Sequence, residues 1–246
     1  MTQYDFMGNL YNQSNISIMW RNCVYIPTIK HVFPNLERKN IMDLACGNGF
    51  YTRLFKSMGA GRVLGVDISE AMILDAKTIE KNNPIDVQYQ IANAATLNKT
   101  IEFDIVFAGY CLHYAQSKDE LFMMCKNIAN NLKSHGRFVA FNENPFKPIH
   151  IGNQCGGSIQ AQGEIKDGVV MKITFHDMNC NNTVSFNRFH YSPKTYDLAL
   201  KAAGFKNICW SSFVVDEKMT EQWPQQDDWQ DIIDGNTSIA VLDCHL

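Results

Sequence analysis

Two glycines in a short turn, and one aspartate on the next strand, are the residues of this sequence best suited to hold a ligand. Residues 41–49 read Ile-Met-Asp-Leu-Ala-Cys-Gly-Asn-Gly, so an apolar run breaks directly into a turn containing Gly47 and Gly49. Such glycines let the backbone approach a bound molecule closely. Asp67 ends the next apolar run, 18 residues after Gly49, and a carboxylate at a strand tip suits a ribose diol. The pairing indicates a site for an adenosine-containing small molecule.

The position where a dinucleotide turn carries its third glycine is occupied by Thr52. A pyrophosphate needs the helix N-terminus held tightly against the strand, whereas a ligand without phosphates does not. The run from Asp43 to Gly49, with Ala45 between them, therefore favours S-adenosylmethionine over a nicotinamide dinucleotide. The alternative is a tight strand–helix turn that binds nothing.

Asp67 follows apolar residues, and a carboxylate in such surroundings needs hydrogen-bond donors. Two ribose hydroxyls would provide them, each bond contributing on the order of 1.5–3 kcal/mol. Alternatively, Asp67 caps the helix that begins near Glu70. Ile68 and Met72 are placed to contact an adenine ring, although Met72 fits the core equally well.

Alternating strand-like and helix-like segments position these residues. Runs rich in β-branched and aromatic residues predict five strands: Ile41–Cys46, Arg62–Ile68, Asp86–Ile91, Phe103–Ala108 and Arg137–Glu143. Apolar spacing of about 3.6 residues predicts the helices between them: Phe50–Met58, Glu70–Asn82 and Lys118–Ser134. This alternation predicts an α/β, doubly wound (Rossmann-like), mostly parallel sheet with right-handed crossovers.

The segments around this core complete a single predicted domain of residues 1–246. Residues 1–39 are mostly polar with separated aromatics, and we expect one or two helices there, packed over the carboxyl edge of the core (40–145). Turn signals between alternating runs predict that residues 146–191 form inserted antiparallel hairpins.

The last segment, residues 192–246, begins with Ser192-Pro193, which predicts a helix start that runs to Ala203 and ends at Gly204. Lys206–Phe213 and Ser238–Asp243 are predicted to be two closing strands.

The composition excludes several kinds of site. A net charge of −3 and a pI near 6.1 leave no broad basic surface for nucleic acid. None of the eight cysteines forms a C-x-x-C pair, which favours free thiols in a reducing compartment over disulfides or zinc. No secretory signal or membrane-length apolar run is present, so we expect a cytoplasmic protein without membrane contact. No acidic cluster suggests a metal site.

The sequence resembles the class I S-adenosylmethionine-dependent methyltransferases over nearly its whole length. The resemblance rests on the glycine turn, on Val66-Asp-Ile-Ser-Glu-Ala-Met, on Phe103-Asp-Ile-Val and on Leu132-Lys-Ser-His-Gly-Arg-Phe-Val. It implies a seven-stranded sheet with a reversed last strand. More narrowly, Ala108–Ala115, Asn142–Pro145 and Tyr191–Tyr196 resemble the toxoflavin synthase-like branch of small-molecule methyltransferases.

The resemblance also implies where the methyl donor binds. The methionine portion would lie beside Asp43, Ala45, Cys46, Gly47 and Gly49, and the ribose against Asp67. Many relatives place an Asp against the adenine amino group, whereas this sequence has Asn93, between Ala92 and Ala94. An Asn can accept that bond through its carbonyl. The sulfonium would lie near Ala108, Gly109 and Tyr110, and Tyr4 and Tyr11 would close over the methionine end.

Methyl transfer is an in-line displacement, so the protein mainly aligns donor and acceptor and excludes water. A base is needed only if the acceptor carries a proton. His113 is the first candidate because imidazole titrates near neutral pH, and the alternative is a structural histidine. His190, His176 and Tyr191 are further candidates, and Tyr110 lies beside the predicted sulfonium. The insertion's aromatics form either a lid over a planar acceptor or an ordinary core: Phe146, His150, Phe175, Phe186, Phe189 and Tyr191.

We therefore expect methyl transfer from S-adenosyl-L-methionine, with S-adenosyl-L-homocysteine as product, to a small heteroaromatic metabolite. Nitrogen is the first expected acceptor atom, then oxygen, then carbon. The alternatives are a methyltransferase for protein or RNA and a non-catalytic protein that binds the donor or its product. The sequence leaves the acceptor and the oligomeric state open.

Overall fold

A seven-stranded sheet forms the centre of the fold. The computed structural model describes residues 19–99, 102–147, 157–176, 183–221 and 229–246. Strands β1 to β5 comprise Ile41–Leu44, Val63–Asp67, Gln88–Ile91, Phe103–Gly109 and Leu132–Glu143. Strands β6 to β10 comprise Gly157–Ala161, Val170–His176, Thr183–Phe189, Lys206–Ser211 and Ile239–His245.

The strand order of this sheet is β3-β2-β1-β4-β5-β10-β9. The first five strands pair in parallel, and β10 is antiparallel to both of its neighbours, β5 and β9. The predicted doubly wound sheet with a reversed last strand is therefore confirmed. Because β1 and β2 are parallel neighbours, the glycine turn and Asp67 emerge at the same edge.

Helices connect the strands and begin where capping residues allow. They are α1 (Ile26–Val32), α2 (Phe50–Ser57), α3 (Glu70–Asn82), α4 (Lys118–Asn130), α5 (Pro193–Ala202), α6 (Glu217–Thr220) and α7 (Trp229–Ile233). A π-helical stretch, Arg21–Tyr25, leads into α1. Ser69 and Ser192 cap α3 and α5 by accepting from the Met72 and Thr195 N–H groups, and the helix start at Ser192 was predicted.

The sheet is covered on both faces by apolar clusters. On one face, Leu44 and Val66 pack with residues of α4 and α5 such as Leu121 and Leu200. On the other, residues of the N-terminal helical segment and of α2 pack against the sheet: Val24, Ile29, Phe33, Phe55, Phe107 and Phe141. This double cover lets strand residues such as Leu44, Val66 and Phe107 all be buried.

The N-terminal helix is fixed to the sheet by one arginine. Arg137 of β5 donates to both carboxylate oxygens of Asp243 in β10, at 2.9 and 2.6 Å. It also donates to the Val32 carbonyl oxygen at 3.0 Å and lies over the Phe33 ring. The described part of the predicted N-terminal cap therefore packs mainly on a face of the sheet, and it reaches the carboxyl edge where Tyr25 contacts Tyr110 and Arg21 lies over the Phe50 ring.

The predicted insertion is a separate antiparallel sheet of three strands, β6-β7-β8. Asp167, in the β6–β7 connection, anchors this sheet to the core. Its carboxylate accepts from the Ser192 N–H and the Thr195 hydroxyl, both at 2.6 Å, and pairs with Lys118 at 2.7 Å. These bonds hold the pKa of Asp167 well below its usual range, although burial alone would raise it.

Several element boundaries differ from the prediction. Helix α4 ends at Asn130 rather than Ser134, because the buried Asn131 side chain donates to the Asn127 carbonyl and closes the last turn. Strand β5 consequently begins at Leu132, five residues before the predicted Arg137. Strand β3 begins at Gln88 rather than Asp86, since Asp86 has φ of 65° and its N–H donates to Glu80.

Candidate functional site

The glycine turn after β1 is built from residues in the left-handed backbone region. Ala45, Gly47 and Gly49 have φ of 59°, 55° and 86°. The Cys46 N–H donates to the Val66 carbonyl at 3.0 Å, which continues the β1–β2 pairing into the turn. The Gly49 N–H donates to the Cys46 carbonyl at 2.9 Å. The turn is therefore a fixed element.

The two glycines are required for different reasons. A Cβ at Gly49 would lie 2.2 Å from the Tyr89 hydroxyl oxygen, so Gly49 makes room for the β3 side chain beneath the turn. A Cβ at Gly47 would meet no described atom within 4 Å. Gly47 is thus the glycine whose backbone is open to a ligand, whereas Gly49 serves packing.

Asp67 holds the turn from the neighbouring strand. Its Oδ2 accepts from the Gly47 N–H at 2.8 Å, and its Oδ1 accepts from the Ser69 N–H at 2.9 Å. Each carboxylate oxygen can accept a second bond, so ribose hydroxyls remain compatible with this arrangement. The bond to the Ser69 N–H agrees with the alternative prediction, in which Asp67 supports the start of α3. Asp67 thus stabilises the turn, and its contact with a ribose stays a prediction.

Asp43 lies fully buried on β1 beside this turn. Its Oδ2 accepts from the Thr52 hydroxyl at 2.6 Å, and its Oδ1 has no partner among the described residues. Burial raises the pKa of Asp43 to about 7, against the lowering effect of Thr52 and with a further increase from Asp67. Thr52, at the third-glycine position, is therefore the partner of the first-strand acid.

The residues expected around the adenine differ in exposure. Ile68 is 49% exposed at the end of β2, as an apolar ring contact requires, whereas Met72 is 6% exposed and belongs to the core. The Asn93 Oδ1 accepts from the Ala95 N–H at 2.8 Å. Asn93 therefore caps a short 3₁₀ turn, and its carbonyl oxygen is already engaged. Ala92 and Ala94 are partly buried beside it.

Near the expected sulfonium, Tyr110 is half-buried, whereas Ala108 is fully buried. Ala108 is fully buried within β4, and its backbone lies between Leu44 and Ala140. Tyr110 has φ of 64°, its N–H donates to the Phe141 carbonyl at 2.8 Å, and its hydroxyl lies 3.1 Å from that of Tyr25. The Ala108 side chain therefore lies in the core, whereas the Tyr110 side chain remains partly accessible.

His113 is buried, and its ring is held in place. Its Nδ1 lies 3.1 Å from Asn142 Oδ1, and its ring centroid lies 5.9 Å from that of Tyr110. Burial, followed by the positive charge of Arg188, lowers the pKa of His113 to about 4. A weak, fixed imidazole favours the structural alternative over a general base.

The histidine and tyrosine of the insertion are also buried. His190 is 4% exposed, with Nδ1 3.3 Å from Glu143 Oε1. Tyr191 is fully buried and donates to the Ala115 carbonyl at 2.8 Å, so its ring belongs to the core rather than to a lid. Phe146 is 61% exposed. Three predicted contacts, Tyr4, Tyr11 and His150, lie outside the described residues, as do the side chains of Phe175 and His176.

Sequence reasoning did not single out Tyr89, Glu143 or Arg188, which lie close to the predicted site residues. Tyr89 lies beneath the glycine turn, and Glu143 pairs with Arg188 beyond the carboxyl end of β5. No spacing signal links these residues, because each contact joins segments that are distant in sequence. The alternation of side chains along β8 is the signal from which a shared face of Arg188 and His190 could have been inferred.

Other features of the described residues give no competing site. They contain no group of three potential metal ligands and no helix with the length and hydropathy of a membrane span. A cleft of about 550 Å³ runs along the edge strand β3. Among its polar lining residues, Arg62 bonds to Gln88, and Glu80 pairs with Arg53.

Residues 41–136 match the family described as "Methyltransferase domain". The chain is 30% identical over 112 residues to the ubiquinone biosynthesis O-methyltransferase of Coxiella burnetii, covering 44% of this chain and 46% of that protein. It is 31% identical over 101 residues to the ribosomal protein L11 methyltransferase of Burkholderia mallei, covering 41% and 31%. The chain thus spans about half the length, or less, of the curated relatives it matches.

The fold is also found in a solved structure. An S-adenosylmethionine-dependent methyltransferase from Clostridium acetobutylicum aligns over 100% of this chain and 99% of its own, with a TM-score of 0.68 and 17% identity. At this identity the likeness concerns the fold, which agrees with the strand order found here. Together, the comparisons show a methyltransferase-domain match over residues 41–136 and, over the whole chain, a fold shared with a solved S-adenosylmethionine-dependent methyltransferase.

Proposed function

We propose that the chain binds S-adenosyl-L-methionine at the carboxyl edge of β1, β2 and β4 and transfers its methyl group to a small heteroaromatic metabolite. One observation carries the donor assignment. The open backbone of Gly47 is held by Asp67, the same carboxylate that would accept from the ribose. The exposed Ile68 beside it suits an adenine face.

The residues at this edge fit a donor without phosphates. Asp43 Oδ1 is a buried acceptor without a described partner, and a cationic amino group of the donor's methionine portion would favour its ionised form. When bound, the donor supplies an already activated methyl group. The protein's remaining task is to orient the acceptor and exclude water. With the His113 pKa lowered to about 4, we expect no proton transfer to that ring.

Two considerations support a small-molecule acceptor. The relative from Coxiella is named for ubiquinone biosynthesis, and this chain carries a net charge of −3 without a basic stretch. Nitrogen remains the first expected acceptor atom, and the toxoflavin synthase-like resemblance remains a prediction. The relative named for ribosomal protein L11 supports the alternative of a protein acceptor, which the product screen below tests.

Asp67→Asn tests the donor site while keeping an acceptor for one of the two backbone N–H groups. The amide oxygen can still accept from the Gly47 N–H, but the charge that strengthens bonds to ribose hydroxyls is lost. Calorimetry should show S-adenosylmethionine binding at least tenfold weaker than in the wild type. Asp67→Ala should in addition lower the free energy of unfolding by about 1–3 kcal/mol, because two backbone N–H groups lose their acceptor.

Glu70→Gln, at an exposed position three residues away, is the matched control and should bind the donor like the wild type. Unchanged affinity in Asp67→Asn would contradict the assignment. For the acceptor, the wild type is incubated with labelled donor and either a metabolite extract or ribosomal protein. Label in a low-mass product supports the proposal, label in protein supports the alternative, and donor binding without turnover indicates a non-catalytic binder.

A further inference from the structure

Two tyrosine side chains from distant parts of the chain meet at the carboxyl edge of the sheet. Tyr25 is the last residue of the π-helical stretch Arg21–Tyr25, and Tyr110 directly follows β4. The Tyr110 hydroxyl donates to the Tyr25 hydroxyl across 3.1 Å, and the two ring centroids lie 6.0 Å apart. This Tyr25–Tyr110 pair connects the N-terminal helical segment to the residue expected beside the sulfonium.

The backbone is unusual on both sides of this contact. Tyr110 has φ of 64°, a left-handed conformation that costs free energy in a residue with a side chain. Tyr25 belongs to a π-helix, which is rare in proteins and is frequently found at functional sites. Strained residues likewise persist mostly where function requires them. Two such features in direct contact indicate a role for the pair beyond packing.

The surrounding residues fix each tyrosine independently. The Tyr25 ring packs against the rings of Phe141 and Phe213, with centroids 5.7 and 5.9 Å away. The Tyr110 N–H donates to the Phe141 carbonyl at 2.8 Å, which ties its backbone to β5. Tyr25 therefore reaches Tyr110 from a fixed position, and the contact between the hydroxyls determines how the Tyr110 hydroxyl is turned.

The direction of this hydrogen bond determines which charge the Tyr110 oxygen favours. A tyrosine hydroxyl has one proton to donate and lone pairs that accept. Because the Tyr110 proton is directed at Tyr25, the oxygen presents its lone pairs on its other sides. Such an oxygen attracts a positive group and gains little from a neutral one. S-adenosylmethionine carries a sulfonium charge, whereas S-adenosylhomocysteine has a neutral thioether in its place.

We propose that Tyr25 is a positioning residue, which holds the Tyr110 hydroxyl so that the site binds the charged donor in preference to the neutral product. This inference rests on the proposed function, because Tyr110 acts on the donor only if the sulfonium lies beside it. Tyr25 acts through Tyr110 and needs no contact of its own with the donor. The preference limits inhibition of the enzyme by its own product.

Calorimetry on the full chain tests this proposal with S-adenosylmethionine and S-adenosylhomocysteine, which differ in the methyl group and its charge. Tyr25→Phe keeps the ring and removes the hydroxyl. It should weaken S-adenosylmethionine binding by about fivefold or more, while S-adenosylhomocysteine binding changes by less than about twofold. Tyr110→Phe should show the same selective loss. The double variant should lose no more than Tyr110→Phe alone, because Tyr25 acts only through Tyr110.

Tyr196→Phe is the matched control, because it removes another buried tyrosine hydroxyl, one that accepts from the Asn142 side chain at 3.0 Å. This variant should keep the wild-type ratio of the two affinities. Binding of S-adenosylhomocysteine also reports that each variant is folded and that its donor site is intact.

The role of Tyr25 is only structural, and the proposal is wrong, if Tyr25→Phe weakens or loses both ligands alike. Unchanged binding of both ligands also contradicts it, and losses that add in the double variant show that Tyr25 does not act through Tyr110. If the wild type binds neither ligand, the proposed function itself fails. Donor binding by the wild type without the selective loss in the variants overturns the role of Tyr25 alone.

Discussion

Asp67 has a structural role whether or not it also binds a ribose. Its carboxylate accepts from Gly47 in the glycine turn and from Ser69 at the start of α3. Asp67→Ala would remove the proposed ribose contact. The two backbone bonds show that this substitution also removes support from the turn. Asparagine is therefore the more informative replacement.

At the scale of single residues, the sequence was most informative where one residue type has one structural consequence. Ser192 begins a helix as predicted, and Gly47 lies open in the left-handed region. It was least informative where a side chain's role depends on its neighbours. Met72 and Ala108 proved to be buried, because donor-edge positions and core positions use the same apolar residue types.

Gly49 and Gly168 provide a residue-level test of packing beneath the turn. Their φ values are nearly equal, 86° and 85°, but only Gly49 has a close neighbour, the Tyr89 hydroxyl. Gly168→Ala should lower the free energy of unfolding by about 1–2 kcal/mol through backbone strain. Gly49→Ala should lower the free energy of unfolding by the same amount and by about 1–3 kcal/mol more, because the added methyl group overlaps the Tyr89 hydroxyl. Equal losses in urea unfolding would show that Tyr89 moves aside freely.

At the scale of elements, Asp167 links the inserted sheet to α4 and α5. Its carboxylate accepts from the Ser192 N–H and the Thr195 hydroxyl and pairs with Lys118. Asp167→Ala should lower the free energy of unfolding by about 1–3 kcal/mol and speed amide exchange in β6 and β7 more than in β1. Hydrogen exchange followed by mass spectrometry measures both regions.

Glu164→Ala is the control for Asp167→Ala, since Glu164 lies in the same connection with its side chain 82% exposed. It should leave exchange unchanged. Uniformly faster exchange across β1 and β7 in Asp167→Ala would show that the inserted sheet and the core unfold together, contrary to the expected local anchor.

The element boundaries show what local sequence could predict. Strands β1, β2 and β4 and helices α2 and α3 were found within two residues of their predicted limits, because turn residues mark their ends. The α4–β5 junction was predicted incorrectly, since Asn131 closes the helix through its side chain. The Glu143–Arg188 contact was out of reach, because its partners meet only when the insertion folds back onto β5.

At the scale of the whole molecule, two buried groups should give opposite pH dependences of stability. Asp43 has a pKa of about 7 in the folded protein against 3.8 for the ordinary group. Its contribution to the free energy of unfolding is therefore lost as the pH rises from about 4 to 7. His113 has a folded pKa of about 4 against 6.5, so its contribution is lost as the pH falls from 6.5 to 4. Between pH 4 and 6.5 the two effects partly cancel.

Replacing one group at a time should therefore show the pH dependence of the free energy of unfolding that each group causes. In ligand-free urea unfolding, the stability of Asp43→Asn relative to the wild type should rise by up to about 3 kcal/mol between pH 4.5 and 7.5. The relative stability of His113→Gln should rise by up to about 3 kcal/mol from pH 7.5 to 4.5. His31→Gln, at an exposed position, is the control, and curves parallel to the wild type in all three variants would contradict both assignments.

The position of β10 has a consequence for how the chain acquires its fold during synthesis. This strand, Ile239–His245, lies between β5 and β9, and Ala240, Val241 and Leu242 pair with Asn142, Phe141 and Ala140 of β5. Until residue 245 has left the ribosome, β5 exposes an unpaired apolar edge of the kind that promotes aggregation. Production of the protein should therefore benefit from chaperones that shield nascent strands, and C-terminal fusions should be joined through a linker that leaves β10 free to insert.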